Sequence, residues 1–177
     1  MTINCNGKLI DLSTPKIMGI LNITPNSFFD GGKYKSDQDF LKQTEKMLLE
    51  GATFIDIGAY SSKPNAEFVT EEEEISRLIP VIELLCKNFP KINISVDTFR
   101  AQVAEKSIES GAAIVNDISG GMLDPMMLQT VGKLKVPYIL MHMKGNPNTM
   151  QSLTNYENLI KEMLFYSSER VFEARKS

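Results

Sequence analysis

The chain has 177 residues, of which 42% are hydrophobic and 23% are charged, a composition typical of one soluble globular domain. Its formal net charge of -3 offers no basic surface for nucleic acid or an anionic membrane. No run approaches the roughly 20 apolar residues of a membrane span. Two distant cysteines, Cys5 and Cys86, and an N-terminus unlike a signal peptide predict a cytoplasmic protein.

The N-terminus predicts a small β-hairpin. Residues 3–5 and 8–12 are short extended runs, and the pair Asn6-Gly7 lies between them. Asn-Gly in this setting is the strongest local signal for a two-residue hairpin. We therefore expect a hairpin at about residues 3–12, followed by the rest of a single domain that spans residues 1–177, with regular units from about residue 16.

Five apolar runs beyond the hairpin predict buried strands, at residues 17–21, 53–57, 92–96, 113–115 and 138–141. Helical patterns follow them, at residues 37–50, after Thr70, and at about 101–109, 123–134 and 156–176. Thr70 and Glu73 form a capping box, and the acidic residues 71–74 are interpreted as a solvated first turn. The last helix carries an apolar stripe on one face: Leu159, Ile160, Met163, Leu164, Val171 and Phe172.

This alternation of strands and helices predicts an α/β fold with a parallel sheet, either doubly wound or closed as a barrel. Each predicted strand ends in a polar residue: Asn22, Asp56, Asp97, Asn116 and His142. Polar side chains at several strand ends favour a (β/α)8 TIM barrel, whose active site is built there. A barrel has eight units, so the five predicted here lead us to expect a truncated barrel; an unusual five-stranded sheet is the alternative.

The third strand of this series predicts a binding carboxylate. Its polar residues Asn93, Ser95 and Asp97 alternate with apolar ones, so they share one face, which lines the lumen in a barrel. Asp97 would then be an inward carboxylate that can accept two hydrogen bonds from the edge of a heterocycle. The alternative is that Asp97 caps the following helix.

Three further segments have both a functional and a structural interpretation. Asn116 offers a donor and an acceptor to a heterocycle, or simply begins a turn with Asp117. The long first loop contains Phe28 and Phe29 among turn-forming residues, which indicates either a lid or ordinary packing. The second loop, residues 58–66, has hydroxyls and a lysine that suit a phosphate group, or is solvated.

The only histidine is His142. Without a second histidine or a cysteine nearby, zinc binding and nucleophilic catalysis of the Ser-His or Cys-His type are not expected.

Five segments, in order, closely resemble the motifs of the dihydropteroate synthase family: GILNITPNSFFDGG (19–32), DIGAYSSKPNA (56–66), SVDTFR (95–100), NDISGG (116–121) and MHMKGNPNTMQ (141–151). Members of this family are (β/α)8 barrels that join 6-hydroxymethyl-7,8-dihydropterin diphosphate to p-aminobenzoate, releasing pyrophosphate and forming dihydropteroate for folate synthesis. The resemblance implies these two substrates, a Mg²⁺ cofactor, no catalytic nucleophile or base, sulfonamide as an inhibitor class, and a homodimer for the complete protein.

The resemblance also implies the site residues. Asp97 and Asn116 would hydrogen-bond the pterin, with Met143 packing in its pocket. Asn22 would ligate Mg²⁺, and Ser62 and Lys63 would contact the pyrophosphate. The p-aminobenzoate site would be formed by loop residues of both loops: Phe28, Asp30 and Pro64.

Three residues depart from the family pattern: Lys63 stands for the usual arginine, Asn65 for glycine and Asn26 for aspartate. The family motifs of the last three strands are absent, so the resemblance implies that this chain on its own lacks part of the pterin and phosphate pockets. Two alternatives are a related pterin-binding barrel, such as a methyltetrahydrofolate methyltransferase, and a truncated, non-catalytic pterin-binding module.

Overall fold

The protein is described by a computed structural model that covers residues 1–23, 36–60 and 69–177. It begins with an antiparallel hairpin of β1 (Thr2–Cys5) and β2 (Lys8–Asp11). The turn residues Asn6 and Gly7 have φ values of 51° and 81°. Positive φ at both central positions is what a two-residue hairpin turn of the favoured hand requires. The predicted hairpin is therefore confirmed, and the Asn-Gly pair accounts for it.

The rest of the chain forms five β-α units around one parallel sheet. The strands are β3 (Ile17–Asn22), β4 (Ala52–Gly58), β5 (Ile94–Asp97), β6 (Ile114–Asp117) and β7 (Tyr138–Leu140). The helices are α1 (Asp37–Leu49), α2 (Glu71–Asn88), α3 (Ala101–Glu109), α4 (Met127–Leu134) and α5 (Leu159–Lys176). The spatial order of the strands is their order in the chain. Each unit adds to the same edge, as in a barrel, whereas a doubly wound sheet reverses its strand order.

The helices pack on one face of this sheet. Alternate strand residues, among them Leu21, Ile57, Val96 and Val115, are fully buried in the main hydrophobic core. Residues of α2, α3 and α4 complete that core: Leu78, Val81, Ile82, Leu85, Val103, Ala104, Met127 and Val131. Because strand side chains alternate between faces, the residues between them point to the opposite, inner face.

The hairpin lies against the end of the sheet where the strands begin. Cys5 and Ile10 form a second apolar cluster with Phe54 and Ile114 from that end of β4 and β6. The Asn6 side chain also donates a hydrogen bond to the carbonyl oxygen of Gly111 at 3.1 Å. The hairpin therefore covers the N-terminal end of the strands and leaves the C-terminal end for a site.

The structure corrects the interpretation of residues 71–74 as a solvated first turn at one position only, since residues 71–73 are at least partly exposed. Glu74 is fully buried and forms an ion pair with Arg100. Its position explains why: it lies four residues before Leu78 and eight before Ile82, on the buried face of α2. The first half of the capping box is confirmed, because the Thr70 hydroxyl accepts a hydrogen bond from the Glu73 amide at 3.2 Å. The Glu73 carboxylate pairs with Arg77 instead of closing the box.

Helix α5 confirms the predicted helix, but its apolar stripe is exposed among the described residues. Ile160 and Leu164 are each 66% exposed, and Phe172 is 59% exposed. The helix instead contacts the rest of the described structure through Tyr166, whose hydroxyl donates a hydrogen bond to the Ser119 carbonyl oxygen at 2.7 Å. No helix in the described ranges is long and apolar enough to span a membrane.

Candidate functional site

Three of the predicted ligand-binding residues lie in a single row across the sheet. The register pairs Asn22 with Gly58, Gly58 with Asp97, Asp97 with Asn116, and Asn116 with Ile139. Residues paired in this way in a parallel sheet point to the same face. We call these five residues the inner row. The row lies near the C-terminal ends of all five strands and on the face away from the helices, so Asn22, Asp97 and Asn116 share the barrel's inner side.

Gly58 gives the Asp97 carboxylate its place in the inner row. A Cβ atom at residue 58 would lie 3.3 Å from Asp97 Oδ2, which is tighter than ordinary van der Waals contact. Burial raises the pKa of Asp97 to about 7, and the negative charges of Asp56, Glu74 and Asp117 act in the same direction. The carboxyl group is therefore poised to gain or lose a proton near neutral pH.

The alternative role of Asp97 as a helix cap is wrong. The N-cap position of α3 is Arg100. The amide of Arg100 donates to the Thr98 hydroxyl at 3.2 Å, and the amide of Ala101 donates to Asp124 Oδ2 at 2.7 Å. The Asp97 carboxylate accepts no hydrogen bond from the residues that the structure describes.

Asn116 is half-buried, and its side chain is held by a buried carboxylate. The Asn116 Nδ2 atom donates a hydrogen bond to Asp56 Oδ2 at 3.1 Å. Asp56 is only 5% exposed and is paired in register with Ser95, one step below the inner row on the same face. Burial raises the pKa of Asp56, while the side chains of Ser95 and Asn116 oppose this shift.

Asp117 organises the turn that follows β6. The sequence predicted such a turn only as an alternative, and for Asn116 and Asp117 together. Its Oδ1 atom accepts hydrogen bonds from the Ser119 amide at 2.7 Å and hydroxyl at 2.8 Å. Its Oδ2 atom accepts from the Gly121 amide at 2.8 Å and the Tyr138 hydroxyl at 2.6 Å. Burial, and then Asp117, raise the pKa of Tyr138. The period of two along β6 separates the roles: Asp117 builds the turn, while Asn116 faces inward.

Met143 is 6% exposed and lies in the segment after β7. Together with His142 and Lys144 it lines a cavity of about 1000 Å³ beside α5. The His142 ring packs edge-on against Tyr166, with a centroid distance of 4.9 Å. His142 therefore has an aromatic packing role, and Met143 supplies apolar surface to the cavity beside α5.

Arg100 holds the two sides of the second loop. Its guanidinium carbon lies 5.4 Å from the centroid of the Tyr60 ring, and its Nη2 atom donates to the Val69 carbonyl oxygen at 2.7 Å. Glu74 neutralises this cation. Five of the predicted site residues lie outside the described residues: Phe28 and Asp30 in the first loop, and Ser62, Lys63 and Pro64 in the second. The departures at Asn26 and Asn65 also lie outside them.

A metal site made by protein carboxylates is not found in the described ranges, which contain no group of three or more His, Cys, Asp or Glu residues that could hold an ion. The Asn22 side chain, at the end of β3 in the inner row, offers an amide oxygen. Mg²⁺ prefers oxygen ligands and is commonly held by one or two protein groups together with phosphates and water. Asn22 therefore supplies one oxygen donor of the kind that such an ion accepts.

The family model described as "Pterin binding enzyme" matches residues 18–177. The chain belongs to this family. Dihydropteroate synthase of Haemophilus influenzae is 44% identical over 173 residues, which are 98% of this chain and 62% of that protein. Dihydropteroate synthase of a Synechocystis strain is 47% identical over 159 residues, covering 90% of this chain and 55% of that protein. The chain thus spans less than two thirds of the length of these relatives.

Solved structures agree with the architecture. Yersinia pestis dihydropteroate synthase, solved in complex with a sulfonamide drug, matches with a TM-score of 0.93 and 38% identity over 99% of this chain and 63% of that one. The Xanthomonas albilineans enzyme with 4-aminobenzoic acid matches with a TM-score of 0.84 and 35% identity over 98% and 60%. The predicted fold class is confirmed: the five parallel β-α units of this family member are those of a (β/α) barrel.

Proposed function

We propose that the protein is a dihydropteroate synthase, which joins 6-hydroxymethyl-7,8-dihydropterin diphosphate to p-aminobenzoate and releases pyrophosphate. The inner row carries this proposal, because it brings Asn22, Asp97 and Asn116 to one face at the ends of the strands. The relatives that are dihydropteroate synthases support the same reaction. A methyltetrahydrofolate methyltransferase is not favoured, because the relatives that match nearly the whole chain are dihydropteroate synthases.

Asp97 and Asn116 would bind the pterin ring. An ionised carboxylate only accepts hydrogen bonds, whereas an amide both donates and accepts. Neighbouring positions in a row lie about 4.8 Å apart, so the two side chains can reach one planar heterocycle together. Met143 would pack against the ring as adaptable apolar lining. These residues hold and orient the pterin so that its methylene carbon faces the second substrate.

Asn22 would hold Mg²⁺ through its amide oxygen, and the ion would neutralise negative charge on the departing pyrophosphate. Ser62 and Lys63 would contact the same pyrophosphate. Phe28, Asp30 and Pro64 would contribute to the p-aminobenzoate site. The aromatic amine attacks the pterin methylene as the pyrophosphate leaves, so the reaction needs orientation and charge stabilisation more than a protein nucleophile.

The location of the protein, its inhibitor class and its oligomeric state are also proposals. We place the protein in the cytoplasm, because its two cysteines are free and its substrates are small, charged molecules. The Yersinia pestis relative was solved with a sulfonamide, which supports sulfonamides as competitors of p-aminobenzoate here. We also predict that the full-length protein is a homodimer, and its mass measured by sedimentation would test this.

The test is an assay of dihydropteroate formation by the full-length protein, combined with calorimetry of pterin diphosphate binding. Asn116→Ala should weaken binding by roughly ten- to a hundredfold, the usual cost of removing a buried hydrogen-bonding partner. Asn88→Ala is a matched control, because Asn88 is exposed on α2 and bonds only its own helix. Failure to form dihydropteroate, or equal affinity in both variants, would overturn the proposal.

A further inference from the structure

One buried carboxylate on the inner face has no part in the proposed reaction. Asp56 lies on β4 two residues before Gly58, so it points to the same face as the inner row. It is paired in register with Ile20 on one side and with Ser95 on the other. It therefore lies directly beneath the site, between the ligand-binding residues and the apolar end of the sheet.

Asp56 is poorly satisfied for a group so deeply buried. Its Oδ2 atom accepts the hydrogen bond from Asn116, but its Oδ1 atom is buried and accepts none from the described residues. The neighbouring Ser95 hydroxyl lowers the pKa of Asp56, but it is buried and lies outside hydrogen-bonding distance or angle of every described residue. Burying a carboxylate with one donor is costly for folding. Stability alone thus gives no reason for an acid at this position.

We propose that Asp56 is a positioning residue, which fixes the side-chain amide of Asn116 so that its Oδ1 atom is presented to the ligand. A carboxylate oxygen accepts, and the only donor on the Asn116 side chain is its Nδ2 group. Rotating the amide by half a turn would set Oδ1 against Asp56 Oδ2, oxygen against oxygen. Asp56 therefore selects one of the two amide orientations and leaves Oδ1 as the acceptor.

This orientation specifies the chemistry of the ligand edge, and it rests on the proposed function. Asn116 Oδ1 and the Asp97 carboxylate become two acceptors on adjacent strands, about 5 Å apart in the sheet. A matching ligand edge carries N–H donors rather than carbonyl oxygens. A dihydropterin ring has such donors, in its ring N–H groups and its amino group. An isosteric ring with acceptors opposite both Asn116 Oδ1 and the Asp97 carboxylate would bind more weakly.

A double-mutant cycle tests this role in the full-length protein, with pterin diphosphate as the probe in calorimetry. Asp56→Ala should weaken binding about tenfold, because Asn116 is then free to turn. Asp56→Asn should recover affinity to within about threefold, since its amide oxygen can accept the same hydrogen bond. In an Asn116→Ala background, Asp56→Ala should have no further effect. Thermal unfolding of each variant establishes that it is folded.

Ser107→Ala is the matched control, because Ser107 on α3 is also a buried polar residue whose hydroxyl has no partner among the described residues. It should leave pterin affinity unchanged. Additive effects of Asp56→Ala and Asn116→Ala would overturn the positioning role, and so would an Asp56→Asn variant as weak as Asp56→Ala. If Asn116→Ala itself left affinity unchanged, the proposed pterin site would fall as well, so the two failures are distinguishable.

Discussion

Replacing Asp97 by asparagine should remove a pH dependence from pterin binding. With a pKa of about 7, the carboxyl group becomes protonated below neutrality and can no longer accept two charge-assisted hydrogen bonds. Affinity of the unaltered protein should then fall as the pH drops below 7, by at most about 30-fold between pH 8.5 and 5.5 and by less if the half-buried carboxyl group keeps some hydration. The Asp97→Asn variant should bind roughly tenfold more weakly at pH 8.5, but with little change across the range.

Calorimetry of both proteins with the same pterin diphosphate measures this effect. The ratio of the two affinities cancels any titration of the ligand itself, so it isolates the Asp97 carboxyl group. A ratio that stays constant from pH 5.5 to 8.5 would refute the reasoning. It would mean that Asp97 either keeps an ordinary pKa or does not touch the ligand.

Asp97→Asn should weaken ligand binding, but without ligand it should make the folded protein more stable at high pH. The folded-state pKa lies above the ordinary value of 3.8, so stability is complete below about pH 4 and is lost as pH rises through 7. The pKa of Asp97 rises by about three units on folding, so the stability lost at high pH is at most about 4 kcal/mol. Since Asp97 is half-buried and keeps some hydration, we expect roughly 1–2 kcal/mol. Urea unfolding should find Asp97→Asn more stable at pH 8 and equal at pH 4; no gain at pH 8 would contradict the burial argument.

Three further substitutions test other parts of the structure. Arg100→Ala should lower the free energy of unfolding by about 3–5 kcal/mol, because it leaves the buried Glu74 without its cation; urea titration measures this, and Arg77→Ala, which breaks a more exposed pair, should cost under about 1 kcal/mol. Tyr138→Phe removes a hydrogen bond to Asp117 and should cost about 1.5–3 kcal/mol in the same assay. Lys63→Arg should tighten pterin diphosphate about fivefold in calorimetry without changing affinity for the unphosphorylated alcohol; equal shifts for both ligands would remove Lys63 from the pyrophosphate site.

Short-range patterns predicted much of this fold. The Asn-Gly pair located the hairpin turn, and the bounds of α3 were predicted correctly because helical periodicity over residues 101–109 is unambiguous. The alternation along β5 placed Asp97 on the inner face, opposite Val96. Polar residues at strand ends then indicated a common site. Each of these predictions depends only on residues that are close in sequence.

Features that depend on distant partners could not be predicted in this way. The burial of Glu74 follows from Arg100, 26 residues later, although its spacing to Leu78 was an available signal. The role of Asp117 depends on the hydroxyl of Tyr138 from the next strand. The apolar stripe of α5 has helical periodicity, but periodicity does not say which element covers it. Residues 24–35 and 61–68 lie outside the described residues, so the roles assigned to the two loops stay predictions.

The inner row also sets the distance between the two ends of a bound molecule. Adjacent strands are about 4.8 Å apart, so Asn22 lies about two strand spacings from Asp97 and three from Asn116, or at most ~10 Å and ~14 Å along the sheet. In the proposed complex, Asp97 and Asn116 meet one end of the ligand and Asn22 meets the other. The register of four hydrogen-bonded strands therefore fixes, through the backbone alone, how far apart these two ends of the proposed ligand are held.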